Sequence, residues 1–139
     1  MEEKLLGNDT VEIVEVKFNF EDLEVWRRAV KFAQKVIKLV ETSKTSRSHY
    51  RLLDQMEAAT TSVALNIAEG KGRFSKKEFV QHLYIARGSL FEAVTLLQIF
   101  HDMEWIPKKE FLSLKREAQE IGKMLAGLAD SVKRSITSS

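Results

Sequence analysis

The chain of 139 residues contains no cysteine. That excludes a disulfide framework, a thiolate metal site and a thiol nucleophile, and it fits a reducing compartment. There is one proline, Pro107, and only six glycines. With so few breakers, long uninterrupted helices are expected. No stretch reaches the roughly 18 apolar residues that would read as a membrane span, so no membrane partner is expected. The N-terminus "MEEKLLGNDT" starts acidic and lacks the apolar core of a signal peptide. These absences lead to the expectation of a soluble, cytoplasmic protein of one domain.

What is present is an uneven charge distribution. Residues 1–24 hold eight acidic residues against two lysines, a net −6, while the rest holds 20 Lys and Arg against 12 Asp and Glu, a net +8. A basic body with an acidic leader is a form that can meet a polyanion, although many helical proteins carry such a charge.

The hydrophobic periodicity is helical. After "VEIVEVKFNF" (residues 11–20), read as an extended arm, a first helix is expected from about Glu21 to Thr42. Its stripe would be Leu23, Trp26, Val30, Ala33, Ile37 and Val40, with Asn19 as N-cap. A second helix is expected from about His49 to Glu69, facing inward with Tyr50, Leu53, Met56, Ala59 or Thr60, Val63 and Ile67, and stopped by Gly70. Ser75-x-x-Glu78 is a capping box, and Phe74 and Phe79 occupy hydrophobic-staple positions. Helix three then follows, with Phe79, Leu83, Ala86, Leu90, Ala93, Leu97 and Phe100 spaced by alternating fours and threes. Pro107 opens helix four, carrying Phe111, Leu114, Ala118, Ile121, Leu125, Leu128 and Val132. The expected fold is all-α: an antiparallel up-down-up-down four-helix bundle with an N-terminal extended arm. The divisions are an acidic arm at 1–19, the bundle at 20–135 and a frayed tail at 136–139.

"FEDLEVWRRA" (20–29), "QMEAATTSVALNIAEGKGR" (55–73) and "SKKEFVQHLYIARGSLFEA" (75–93) resemble the bacterial four-helix-bundle proteins named after the 23S rRNA intervening sequence. The resemblance covers roughly residues 20 to 135. It is most specific at Asn66-Ile67-Ala68-Glu69-Gly70, Gly72-Arg73 and Ala86-Arg87-Gly88-Ser89-Leu90. It implies a bundle assembled as a ring-like homopentamer. It also implies similarity to the accessory proteins of diversity-generating retroelements, which bind nucleic acid and a reverse transcriptase.

Three groups of residues invite a function. Lys71, Arg73, Lys76 and Lys77 gather at the start of helix three, and in an up-down bundle Lys133 and Arg134 would share that end. Cations there oppose the helix dipole, and a phosphate on the free N–H groups would relieve this. These six are the candidate nucleic-acid contacts, of backbone type and salt-sensitive. The plainer alternative is that Ser75 and Glu78 already occupy the donors and the lysines are solvated. No Walker A pattern is present. Phe74 has two readings, stacking on a base or packing at home as the staple.

Asn66, Glu69, Arg87 and Glu92, with Arg73, form a second group, because a charge in an apolar helix needs a partner. A structural network joining Glu69 or Asn66 to the Arg73–Arg87 stretch is expected. Catalysis by Glu69 is not, for no nucleophile or metal ligand stands beside it. The third group is apolar: Phe32, Val36, Val80, Tyr84, Phe91 and Val94 lie beside the core stripes and predict a second apolar face, hence a homo-oligomer interface, the plainer alternative being a wide core. No metal or other cofactor is expected. Glu-x-x-His pairs are missing, and His82 and His101 would lie about 28 Å apart on one helix. The function expected is a non-enzymatic oligomeric adaptor whose basic end meets RNA or DNA. The alternative is a protein-binding assembly module with no nucleic-acid role.

Overall fold

A computed structural model describes residues 12–45 and 47–137. A 3-10 turn at Asn19–Asp22 precedes four helices: α1 at Glu24–Glu41, α2 at Tyr50–Lys71, α3 at Lys76–Asp102 and α4 at Lys108–Thr137. Each helix packs on the next, and α1 closes the bundle against α4. Polar pairs run in opposite order along α2 and α3 (Gln55 with Glu92, Ser62 with Ser89, Asn66 with His82), so those two helices are antiparallel. Contacts of Tyr84 with Lys133 and of His101 with Phe111 show the same for α3 and α4.

The core is continuous through all four helices. On α3 every residue of the expected stripe, from Phe79 to Phe100, is buried. On α4 the buried set is Phe111, Leu114, Ala118, Ile121, Leu125 and Ala129, with Leu128 and Val132 packed at its edge. Each fully buried large side chain stabilises the bundle by about 1.5–3 kcal/mol before ordering costs are counted.

Helix α1 departs from its expected face. The buried residues are Val25, Ala29, Phe32, Ala33, Val36 and Val40, while Leu23, Trp26 and Val30 are only partly covered. Leu23 is not helical: it is the extended residue between the 3-10 turn and α1, and no side chain caps that helix. Asn19 accordingly opens the 3-10 turn rather than capping α1. Glu21 instead turns back to accept the Phe18 N–H at 3.0 Å.

Gly70 also differs from expectation. The helix passes through it to Lys71, and it is Gly72 whose N–H closes on the carbonyls of Ala68 and Glu69. Gly70 is buried because α3 comes so close that a Cβ there would stand 2.5 Å from His82 Cβ. At the opposite end, Trp105 packs edge-on against Phe100 with ring centroids 5.0 Å apart, and its carbonyl accepts the Lys44 N–H at 3.1 Å. This ties the α1–α2 connection to the α3–α4 turn.

Residues 12–18 of the arm have no regular secondary structure and lie exposed, and residues 1–11 fall outside the described residues. The tail expected to fray is helical at Ile136 and Thr137, with 138–139 again outside the described residues.

Candidate functional site

The link between α2 and α3 carries the basic group. Ser75 takes extended backbone, and its hydroxyl accepts the Glu78 N–H at 3.3 Å, which starts α3 as the capping motif predicts. The hydrophobic staple does not form. Phe79 is buried, but Phe74 points away and is fully exposed. The extended Ser75 turns the chain so that the preceding side chain faces water.

Around Phe74 the cations are arranged unequally. Arg73 donates to Glu69 at 2.7 Å in an exposed pair one turn apart, while Lys71 lies 5.7 Å from the centroid of the Phe79 ring. Lys76 and Lys77 are exposed on the first turn of α3. A shallow cavity of about 200 Å³ is lined by Lys71, Arg73, Phe74 and Lys76 together with Val132 and Ser135 of α4. The end of α4 therefore shares this end of the bundle with the link. Lys133 projects there to donate to the Tyr84 hydroxyl at 2.9 Å, and that hydrogen bond holds its ammonium above the ordinary lysine value. Arg134 is exposed in the last turns. The acidic start of the bundle is close by. Asp22 is held below the usual carboxylate range, chiefly by its 2.6 Å pair with Lys17 and to a smaller extent by Lys71.

The expected polar network resolves into separate pieces. Glu69 pairs with Arg73 and does not reach Arg87. Arg87 lies on the surface with its guanidinium 4.6 Å from the Phe91 ring centroid, so its charge stays solvated and needs no carboxylate. Glu92 accepts a hydrogen bond from Gln55 at 3.3 Å. Asn66 belongs to a different set. Its amide donates to the Ser62 carbonyl at 2.9 Å and its oxygen meets His82 Nδ1 at 3.1 Å, while the hydroxyls of Ser62 and Ser89 are 2.8 Å apart. This half-buried seam joins α2 to α3. Its signal lay in the spacing, since Ser62 and Asn66 are one turn apart and His82 and Ser89 two.

Sequence reasoning also missed a clamp between α1 and α4. Arg28 donates to Glu117 at 3.1 Å and also bonds Glu120. Chiefly through the hydrogen bond to Glu120, the guanidinium rises above its ordinary value and the Glu120 carboxyl falls below its own.

The proposed oligomer face needs correction. Phe32 and Val36 of α1 are fully buried at 0% exposure and Val80 of α3 is buried too, all within one protomer, where they join the continuous core. Val94 is partly covered at the core's edge. Tyr84 and Phe91 remain about half exposed at 48% and 51%, joined on the outer faces of α3 and α4 by Ile85 and Leu112.

Among the described residues, no group of three or more His, Cys, Asp or Glu is placed to hold a metal. His101 stacks on Phe111 with centroids 4.5 Å apart. By length and composition alone α3 is apolar enough to pass for a membrane span, with a mean hydropathy of 1.3 over its best window, although it holds no run of 18 apolar residues. That apolar character comes with its position between α2 and α4, where it supplies the largest share of the core.

Residues 21–127 match the family model of the 23S rRNA-intervening sequence protein. The chain belongs to that family. Membership in the 23S rRNA-intervening sequence family establishes the lineage and leaves the activity open. The crystal structure of a protein with unknown function from the S23 ribosomal protein family, from Bacteroides thetaiotaomicron, superposes with a TM-score of 0.70 at 23% identity. It covers 76% of this chain and 97% of its own. At that identity the likeness speaks for the four-helix fold alone. No curated protein matches the chain.

Proposed function

We propose that this member of the 23S rRNA-intervening sequence family is a non-enzymatic, self-associating adaptor whose basic end binds nucleic-acid phosphates, in the reducing cytoplasm that a cysteine-free chain suits. The observation that carries this reading is Phe74, a fully exposed aromatic ring set among Lys71, Arg73, Lys76 and Lys77. A ring that leaves its staple position has given up burial, and cations around it are the setting in which a base stacks while phosphates are neutralised. Lys133 and Arg134 extend the positive surface from α4. The outer apolar residues Tyr84, Ile85, Phe91 and Leu112 support self-association, and a pentamer is the number that the resemblance suggests.

The test is a titration of the full chain with single-stranded RNA and DNA at two salt concentrations. Phe74→Ala should weaken binding by about 5- to 150-fold, the range for loss of one stacked base. Changing Lys71, Arg73, Lys76 and Lys77 to Glu should flatten the salt dependence by about 0.7 in log slope for each phosphate that is no longer neutralised. No binding by the wild type at low salt, or equal binding by both variants, defeats the reading.

A second reading is an assembly module that contacts only proteins, a polymerase such as a reverse transcriptase being the kind of partner that the resemblance suggests. The Glu69–Arg73 pair favours it, because it partly neutralises the basic end.

A further inference from the structure

A wide groove lies between α3 and α4, far from the basic end. Its volume is about 580 Å³, and its walls include Leu90, Phe91, Val94, Leu112, Lys115 and Arg116. The floor is apolar and the rim is cationic, with no carboxylate in the lining. The acids of α4 nearest to it, Glu117 and Glu120, are drawn to the other side by Arg28. Arg87 adds a further positive charge over the face of Phe91.

One segment of the chain has the complementary character. Residues 12–18 of the arm expose Val14, Val16 and Phe18, which share one face when the chain is extended, with Glu12 on that face and Glu15 on the opposite one. From Val14 to Phe18 an extended chain spans about 13 Å, close to the roughly 10 Å that the groove occupies along α4 from Leu112 to Gln119.

The described part of the arm, residues 12–18, does not reach the groove of its own protomer. It leaves the bundle beside the 3-10 turn, which packs on α2 close enough for Lys71 to act on Asp22, at the level where α3 begins. The near edge of the groove, Leu90, lies 15 residues beyond Ser75, about 22 Å along α3. Val14 is four residues from Phe18 and reaches about 14 Å at most, before the width of the bundle is crossed.

We propose that the groove between α3 and α4 receives the arm, residues 12–18, of a second copy of this chain. Val14, Val16 and Phe18 cover Phe91 and Leu112, Glu12 meets Lys115 and Arg116 at the rim, and Glu15 on the outer face adds to the attraction between the charges. The proposal rests on the self-association in the reading above and names the surfaces that carry it.

The absence of cysteine makes the test direct. Full-length Val14→Cys and Leu112→Cys proteins are mixed, allowed to exchange subunits and mildly oxidised. A disulfide-linked dimer should form at least about five-fold more than from Val14→Cys mixed with Gly127→Cys, an exposed position about 22 Å further along α4. Separately, Lys115→Glu with Arg116→Glu should raise the dissociation constant of self-association at least about ten-fold, and adding Glu12→Lys with Glu15→Lys should restore it. Equal cross-linking to both positions, a 14–112 link formed within one chain of the doubly substituted protein, or no rescue by the charge exchange overturns the proposal. If light scattering still finds an oligomer in that case, the adaptor reading survives and only the arm inference falls.

Discussion

Replacing Gly70 by alanine puts two opposing effects in one position. In a helix interior alanine is favoured over glycine by about 0.8–1.0 kcal/mol, so the substitution should stabilise α2 if nothing else mattered. The structure places a new Cβ 2.5 Å from His82 Cβ, 3.1 Å from Phe79 Cδ1 and 3.2 Å from His82 Cγ. Carbon atoms prefer about 3.5–4.0 Å, so α2 and α3 must separate by about 1 Å. The obstructing atom is a Cβ fixed to its own backbone, and no rotamer change removes it. Overpacking of this kind costs about 1–3 kcal/mol. The same displacement stretches the Asn66–His82 hydrogen bond of 3.1 Å. The net expectation is a loss of about 1–2 kcal/mol, or about 3–7 °C in Tm for a chain of this length. Thermal and urea unfolding at one fixed chain concentration would measure it, because an associating protein shifts its Tm with concentration. Gly127→Ala and Gly88→Ala are the controls, since a Cβ at either meets nothing within 4 Å, and both should gain about 0.5–1 kcal/mol. A Gly70→Ala protein that gains stability alongside them would refute the close approach of the two helices.

Other substitutions test other parts of the structure. Phe32→Ala should cost about 3–5 kcal/mol and leave the oligomeric state of the folded protein unchanged. If analytical ultracentrifugation instead finds dissociation with little loss of stability, the core assignment is wrong. Ser75→Ala should lose about 1 kcal/mol in urea unfolding, as a helix without its N-cap does. For Glu120, whose carboxyl is held below the ordinary value of about 4.3, the linkage sign is fixed: its contribution is present above that value and is lost as pH falls through the lowered one. The stability gap between wild type and Glu120→Gln should therefore be constant near pH 6 and close as the pH drops below about 4. A gap that persists or widens at pH 3 would contradict the Arg28 clamp.

The sequence was most legible where one residue type dominated one face. On α3 the spacing from Phe79 to Phe100 marks a stripe whose seven residues are all inside, although Val80 and Leu96 beside it are buried as well. On α1 apolar residues lie on more than one face, and two large ones, Trp26 and Val30, mark the edge instead of the centre. Ala29 sits at the centre, because a small side chain permits close approach but contributes little to a hydrophobic pattern. The same ambiguity placed Phe32, Val36 and Val80 on an outer face when the protomer itself consumes them. The basic end was readable as composition, and the capping motif located it. The exposure of Phe74 was not readable, since it depends on how the backbone turns ahead of Ser75. Partners of charged residues were the least legible. Arg28 and Glu117 are 89 residues apart in the chain, and only the packing of α1 on α4 brings them together.

The seam of Ser62, Asn66, His82 and Ser89 limits how the two central helices can move. Sliding one past the other by a single turn would carry each pair about 5.4 Å out of reach and cost about 0.5–1.5 kcal/mol for each hydrogen bond lost. Such a hairpin behaves like a toothed key in a lock. It can tilt or travel as a rigid piece more easily than one helix can creep past the other.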